Sequence, residues 1–416
     1  MTAPVTGLPS AEGWGREQNT MSVRNNYQKT IYACFVGYIV QAIVNNFVPL
    51  LFLTFQSELG VPLSRITFLI TFNFGVQLLV DLVSPRFVDR IGYRISMVLA
   101  HLFSALGLAL LTVLPGVTKD PFIGLLIAVM VYAVGGGLLE VLVSPVMEAC
   151  PTEHKEAAMS LLHSFYCWGH VAVVLLSTLF FKVLGISNWR IMALLWTIVP
   201  IVNLIAFTRV PIAPIVAEGE EGLKFGQLAR MKIFWILMLM MVCAGASEQA
   251  VSQWASTFAE KGLGVSKTLG DLTGPMFFAI TMGTARAIYG KFGARLDLMK
   301  FMSFSTILCM FSYCLIVFVP NPVIGLLGCG ICGFSVGIFW PGTFSVAAKS
   351  IRNGGTLMYA LFALAGDVGC SGGPTVAGTV SSFFGDDLRK GILAAMIFPV
   401  LMGVGLLLEK RNAQEA

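Results

Sequence analysis

The chain has 416 residues, of which 56% are hydrophobic and 12% charged, against about 25% charged in a soluble domain. With a mean hydropathy of +0.81, that balance excludes a soluble globular protein. The net charge of +5 does not indicate a nucleic-acid partner, because the Lys and Arg residues fall in short connections between apolar runs, where the positive-inside rule accounts for them.

Met1 to Tyr27 is polar and has no apolar core, so it reads as a cytoplasmic N-terminal tail rather than a signal peptide. Apolar runs near 28–55, 65–85, 94–114, 121–149, 157–184 and 189–209 then give six candidate spans. Each is long enough for the roughly 20 residues that cross a bilayer core as a helix. Residues 211–230, with Pro211, Pro214, Glu218, Glu220, Glu221, Lys224 and Arg230, form the one long polar interruption. A second set follows near 231–259, 269–289, 298–319, 322–349, 355–384 and 390–408. The expected organisation is therefore a tail (1–27), a six-helix bundle (28–210), a cytoplasmic linker (211–230), a second six-helix bundle (231–410) and a short cytoplasmic tail (411–416).

The basic residues are asymmetric. With the N-terminus inside, the inner connections hold Arg86, Arg90, Arg94, Lys155, Arg209, Lys224, Arg230, Lys291, Arg295, Lys349, Arg352 and others, and the outer ones hold far fewer, such as Arg65, Lys119 and Lys182. Both termini are expected in the cytoplasm of a multi-pass cell-membrane protein. The halves echo each other. Leu59-Gly60-Val61 after the first span matches Leu263-Gly264-Val265 after the seventh, Asp89 to Arg94 falls where Gly290 to Arg295 falls, Ser144-Pro145 matches Trp340-Pro341, and Trp168-Gly169-His170 matches Ala365-Gly366-Asp367.

Other patterns carry little chemistry. Eight of the nine cysteines lie inside apolar runs as small hydrophobes, and Cys329-Gly330-Ile331-Cys332 lacks a second ligand pair for a metal. No phosphate-binding loop for an ATP-driven pump occurs, and no triad or metal set suggests an enzyme or cofactor.

The segment Pro85-Arg86-Phe87-Val88-Asp89-Arg90-Ile91-Gly92-Tyr93-Arg94 resembles the loop signature of the major facilitator superfamily, with Pro85 in place of its first glycine. Gly135-Gly136-Gly137-Leu138-Leu139-Glu140, Ser144-Pro145 and Leu162-His163-Ser164-Phe165 narrow the resemblance to the fucose:proton symporter family. There Ser144 stands where that family has asparagine, and the first span has Asn45-Asn46 but no acid. The resemblance implies an all-α membrane protein of twelve transmembrane helices in two pseudo-symmetric six-helix bundles, working by alternating access as a monomer. It implies a small-molecule substrate such as a sugar, imported with a proton or sodium ion. The alternative is an efflux antiporter, although span five carries no proline of the kind antiporters use there.

An ionised carboxylate at mid-span costs roughly 2.5–3.5 kcal/mol on insertion scales, so a buried acid there usually has a task. Glu140, Glu248 and Asp367 qualify as ion-coupling residues, with Glu140 matching the symporter family's glutamate. Amides paired with aromatic rings suit a hydroxylated solute, which nominates Gln41, Asn45, Asn46, His163, Gln249, Gln253, Trp254 and Trp340 for substrate. Asp89, Arg90, Arg94, Asp81 at the end of span two, Glu148 and Arg286 in the degenerate second loop motif are the expected gate residues.

Overall fold

The computed structural model describes residues 11–151, 155–213, 223–292, 297–351 and 355–415. Side chains are described within these from residue 27 onward, except at 85, 86, 89, 148, 155–160, 290, 291, 355, 356, 359, 413 and 415. Residues 214–222 of the expected linker thus lie outside the described residues, as do the side chains of Asp89 and Glu148.

In a bilayer every backbone polar group must be paired within its own segment, and the described residues form helices and no strand. The first half contains α1 (Ala11–Asn46), α2 (Leu63–Ile91), α3 (Tyr93–Val117), α4 (Pro121–Ala149), α5 (Lys155–Leu184) and α6 (Trp189–Arg209). The second contains α7 (Lys232–Ser252), α8 (Pro275–Phe292) and α9 (Leu298–Phe318). It continues with α10 (Pro322–Val336, resumed at Phe339–Ser350), α11 (Gly355–Phe383) and α12 (Leu388–Ala395, resumed at Ile397–Glu415). Ten of these segments are long and apolar enough to cross a membrane. The other two are α8, 18 residues long with Arg286 and Lys291, and α11, which carries six glycines and Asp367. Both give up apolar bulk because they pack against helices of both halves. The face holding the N-terminal side of α1 is called the tail face below, and its opposite the far face.

Residues that end a helix here do so for local reasons. Asp120 caps α4 by accepting the Phe122 N–H at 3.0 Å, with Pro121 at the first helical position, where no N–H is needed. Between α2 and α3 a single residue turns the chain: Gly92 adopts φ +84°, which a side chain would resist. The signature segment is consequently not a loop as expected. Asp89 and Arg90 ride on the last turn of α2, which runs on to Ile91 and closes with the Gly92 N–H donating to the Val88 carbonyl. Asp81 is likewise corrected: it lies ten residues inside α2, not at its end.

Both halves break their first helix at the same depth. After Asn46 the chain takes a 3-10 turn at Val48–Leu51, forced by Pro49, and resumes as Phe52–Leu59. After Ser252, α7 gives way to Ala255–Thr257 and a π turn at Phe258–Gly262. The two breaks touch: Gln253 Nε2 donates to the Asn45 carbonyl at 3.2 Å, and the Phe52 and Trp254 rings lie 5.5 Å apart. The eighth span differs from expectation, since Lys267–Thr273 is a separate short helix and α8 starts only at Pro275.

Lipid-facing and core-facing residues separate cleanly on α6. Ile191, Leu194, Leu195, Ile198, Ile201, Val202 and Ile205 are exposed, while Trp189, Met192, Ala193, Trp196, Pro200, Asn203 and Phe207 are buried. A soluble protein does not leave such a stripe to water.

Candidate functional site

The midplane is built in layers, beginning at the far face. There Lys267 Nζ, on the short helix before α8, donates to the Leu50 carbonyl at 2.7 Å. Asp271, fully buried, accepts from Ser256 Oγ at 2.5 Å and, across the seam, from Thr178 Oγ1 at 3.1 Å. Thr71 of α2 meets Thr375 of α11 through their hydroxyls. Trp254, a nominated substrate residue, is fully buried and donates its indole N–H to the Pro374 carbonyl at 3.0 Å, so it serves this seal. None of Lys267, Asp271 and Thr178 stands out in sequence as functional, because a charge near a polar connection ordinarily reads as solvated and a single threonine within an apolar span as packing.

An amide layer comes next. Asn45 Oδ1 accepts from Gln77 Nε2 at 2.8 Å and from Asn73 Nδ2 at 3.4 Å. Gln253 donates to Gln249 Oε1 at 3.0 Å, and Gln249 to Glu248 Oε1 at 3.2 Å. Asn46 Nδ2 reaches the Tyr166 hydroxyl at 3.3 Å. The expected residues Asn45, Asn46, Gln249 and Gln253 are thus brought together, and α2 adds Asn73 and Gln77, which sequence reasoning missed. Their spacing with Asp81, four and eight residues apart, was the available signal. A cavity of about 10 Å³ between Asn45, Asn73, Tyr132 and Gln253 has room for one water.

The third layer is charged. Gln41 Nε2 donates to Glu140 Oε2 at 2.8 Å, and Tyr38 bonds Ser144 at 2.9 Å. Asp81 of α2 and Asp367 of α11 face Glu140 closely enough to interact with it and with each other. Arg286 sits inside α8 rather than in a loop, which corrects the expected placement. Its guanidinium lies 3.3 Å from Glu248 Oε2 and 3.3 Å from Cys167 Sγ on α5. Glu248 is therefore held in an ion pair, whereas Glu140 has an amide partner and acidic neighbours.

Toward the tail face the side chains of Glu140, Ser144, His163, Tyr166 and Trp340 are half-buried. His163 lies against Tyr38 with ring centroids 5.3 Å apart, and Trp340 covers Gly366. Of the expected gate residues, Arg94 Nη1 donates to the Phe207 carbonyl at 2.8 Å, and Arg90 is exposed. Among the described residues, hydrogen bonds join the halves from Lys267 to Leu50 at the far face, through Thr71 with Thr375 and Gln253 with Asn45, to Arg286 with Cys167 at the charged layer.

Residues 33–374 match the family model described as the Major Facilitator Superfamily. Among curated proteins none matches the sequence. Among solved structures, the E. coli fucose:proton symporter FucP is similar with a TM-score of 0.64 at 15% identity, covering 92% of this chain and 99% of that one. A D-xylose-proton symporter matches with a TM-score of 0.72 at 14% identity over 92% and 97% of the two chains. A bacterial homologue of the human lysosomal transporter Spinster, inward-facing and occupied, matches with 0.70 at 15% over 93% and 97%.

Proposed function

The chain belongs to the Major Facilitator Superfamily, whose members are transporters and not enzymes, and from that membership and the layered midplane we propose that it imports a sugar or similar polyhydroxyl metabolite together with a proton. The observation that carries the reading is Glu140, held by Gln41 at 2.8 Å in mid-span on the open side of the joined halves. A carboxyl placed so can meet solution from one side in one state and from the other after the halves rock, which is what a proton carrier requires. The amides of Asn45, Asn46, Gln249 and Gln253 offer donors and acceptors to hydroxyls, and His163, Tyr166 and Trp340 offer ring faces. Similarity to two sugar–proton symporters, which is a likeness of fold at this identity, agrees with this solute class.

In this reading the tail face is the cytoplasm of a cell-membrane protein, the state shown opens inward, and Asp89, Arg90 and Arg94 close that side in the opposite state. Residues 28–210 and 231–410 are the two rocking units, joined by 211–230. Asp367 and Asp81 set the field around Glu140, and the Arg286–Glu248 pair orients solute rather than carrying the ion. The test is Glu140→Gln in proteoliposomes: uphill accumulation of solute is lost while exchange of labelled for unlabelled solute persists. A variant that still concentrates solute assigns the carrier elsewhere.

A further inference from the structure

Where the linker meets the second half, the tail face carries cations without counter-charge. Residues 223–235 and 400–412 hold Lys224, Arg230, Lys232, Lys410 and Arg411 against a single acid, Glu409. All five cations are exposed, whereas Glu409 is buried. None of the five forms an ion pair among the described residues. Like charges held together repel one another, so a surface of this kind gains stability from an anion on it.

The two stretches are neighbours in space. Thr30, near the tail-face end of α1, donates to the Pro211 carbonyl at 2.5 Å, which puts the start of the linker on that face. There α7 begins and α12 ends, and the two helices pack closely: a Cβ at Gly405 would come 2.6 Å from Met240 Cγ. From that contact Lys232 lies eight residues toward the tail face along α7, and Lys410 five along α12. At about 1.5 Å per residue the two stand within roughly one turn of the same depth. Two aromatic rings lie among the cations. Phe225 is 54% exposed and Trp235 53%, yet both are anchored. Trp235 Nε1 donates to the Ala229 carbonyl at 2.9 Å, and Leu228, in the same short helix as Phe225 (Phe225–Leu228), is fully buried. Aromatic rings beside cations at the end of an apolar span belong to the headgroup level of a bilayer. Farther into the span Val404, Leu407 and Leu408 of α12 are exposed, an apolar surface for acyl chains below the cations. A soluble anion would use the cations alone, whereas a lipid uses both.

We propose that Lys224, Arg230, Lys232, Lys410 and Arg411 hold the phosphodiester headgroup of an anionic phospholipid in the leaflet on the tail-face side. Arginine grips a phosphate through parallel N–H donors, and lysine adds a point charge. The bound lipid ties the end of the linker to α7 and α12 and so stabilises the second half. The proposal goes beyond solute import and does not need it, because lipid binding is read without transport.

The experiment is thermal unfolding of the purified, delipidated full-length protein in a neutral detergent, titrated with phosphatidylglycerol, phosphatidylcholine or glycerol 3-phosphate. The expected result is a midpoint that rises with phosphatidylglycerol alone, and rises less at high salt. Each cation removed weakens the lipid about fivefold. Arg230→Gln with Lys232→Gln, and separately Lys410→Gln with Arg411→Gln, therefore raise the half-saturating concentration roughly 25-fold. Lys119→Gln with Lys182→Gln, on the far face, leaves it unchanged. An equal response to phosphatidylcholine, or a phosphatidylglycerol response that survives in both tail-face variants, overturns the site. A response to glycerol 3-phosphate as large as that to the lipid overturns it in favour of a soluble anion. A wild type indifferent to phosphatidylglycerol also overturns it; a response then gained by combining Glu218→Gln, Glu220→Gln and Glu221→Gln would show that the linker's own acids, which lie outside the described residues, cover the patch.

Discussion

Asp271 and Thr178 share a 3.1 Å hydrogen bond across the seam between the two halves, and the same carboxylate stands 3.2 Å from Lys267, whose ammonium reaches back to Leu50 in the first half. One buried acid thus organises the far-side closure. Asp271→Asn removes the charge that holds Lys267 and is expected to shift the protein toward the state open at the far face. Spin labels on Lys182 and Lys390, near the far-face ends of α5 and α12, report it as a longer distance. An unchanged distance distribution assigns the cluster to packing within the second half.

Glu248 is buried and Arg286 largely so, 3.3 Å apart, with side-chain exposures of 10% and 13%. Removing one partner of a buried pair leaves an uncompensated charge and costs about 3–5 kcal/mol. Arg286→Gln is expected to destabilise by that order, and the double variant with Glu248→Gln to recover most of it. Denaturant or thermal unfolding of the four proteins measures the cycle. Additive losses would mean that the two side chains do not interact.

Gly369 and Gly372 of α11 give a matched pair. A Cβ at Gly369 would lie 2.0 Å from the Val242 carbonyl oxygen of α7, a backbone atom that cannot turn aside, whereas at Gly372 nothing lies within 4 Å. Gly369→Ala is expected to cost about 1–3 kcal/mol through overpacking. Gly372→Ala is expected to be neutral or stabilising by up to about 1 kcal/mol through helix propensity. Melting midpoints of the two proteins in detergent decide it, and equal midpoints would contradict this helix contact.

Asp120 lies in a connection outside the membrane segments. The Phe122 N–H, and then the Arg65 guanidinium at 2.7 Å, hold its carboxyl below the ordinary value of 3.8. A lowered folded-state value means stability that is fully present above the unfolded value and lost as pH falls through the folded one. The difference in stability between wild type and Asp120→Ala should therefore shrink as pH is lowered below about 4. A difference that does not change with pH would leave only the neutral capping contact.

The helices are legible where composition and capping coincide: the expected runs 121–149 and 189–209 are α4 and α6 residue for residue, one opened by Asp120-Pro121 and the other carrying the lipid stripe. The breaks in α1, α7 and α10 are not, since hydropathy registers apolar content and is blind to a change of dihedral within it. Asp81 reads as a span end because apolarity stops near residue 85, while the helix runs on to Ile91 with a polar face. Glu140 is marked by depth and neighbours, and its partner Gln41 by residue type. That Gln77 keeps an oxygen unpaired depends on which helices meet, and no spacing within α2 reveals that.

The meeting of Thr71 with Thr375, backed by Ser371 donating to the Thr71 carbonyl at 3.4 Å, has a thermodynamic consequence. A hydroxyl is both donor and acceptor, and water replaces either role, so each such contact contributes only about 0.5–1.5 kcal/mol net. A contact of this kind therefore adds little to the free-energy gap between the sealed and unsealed states. On the proposed reading, solute binding then has the Lys267–Asp271 pair to work against on this face, and only a shallow barrier at the threonine contact.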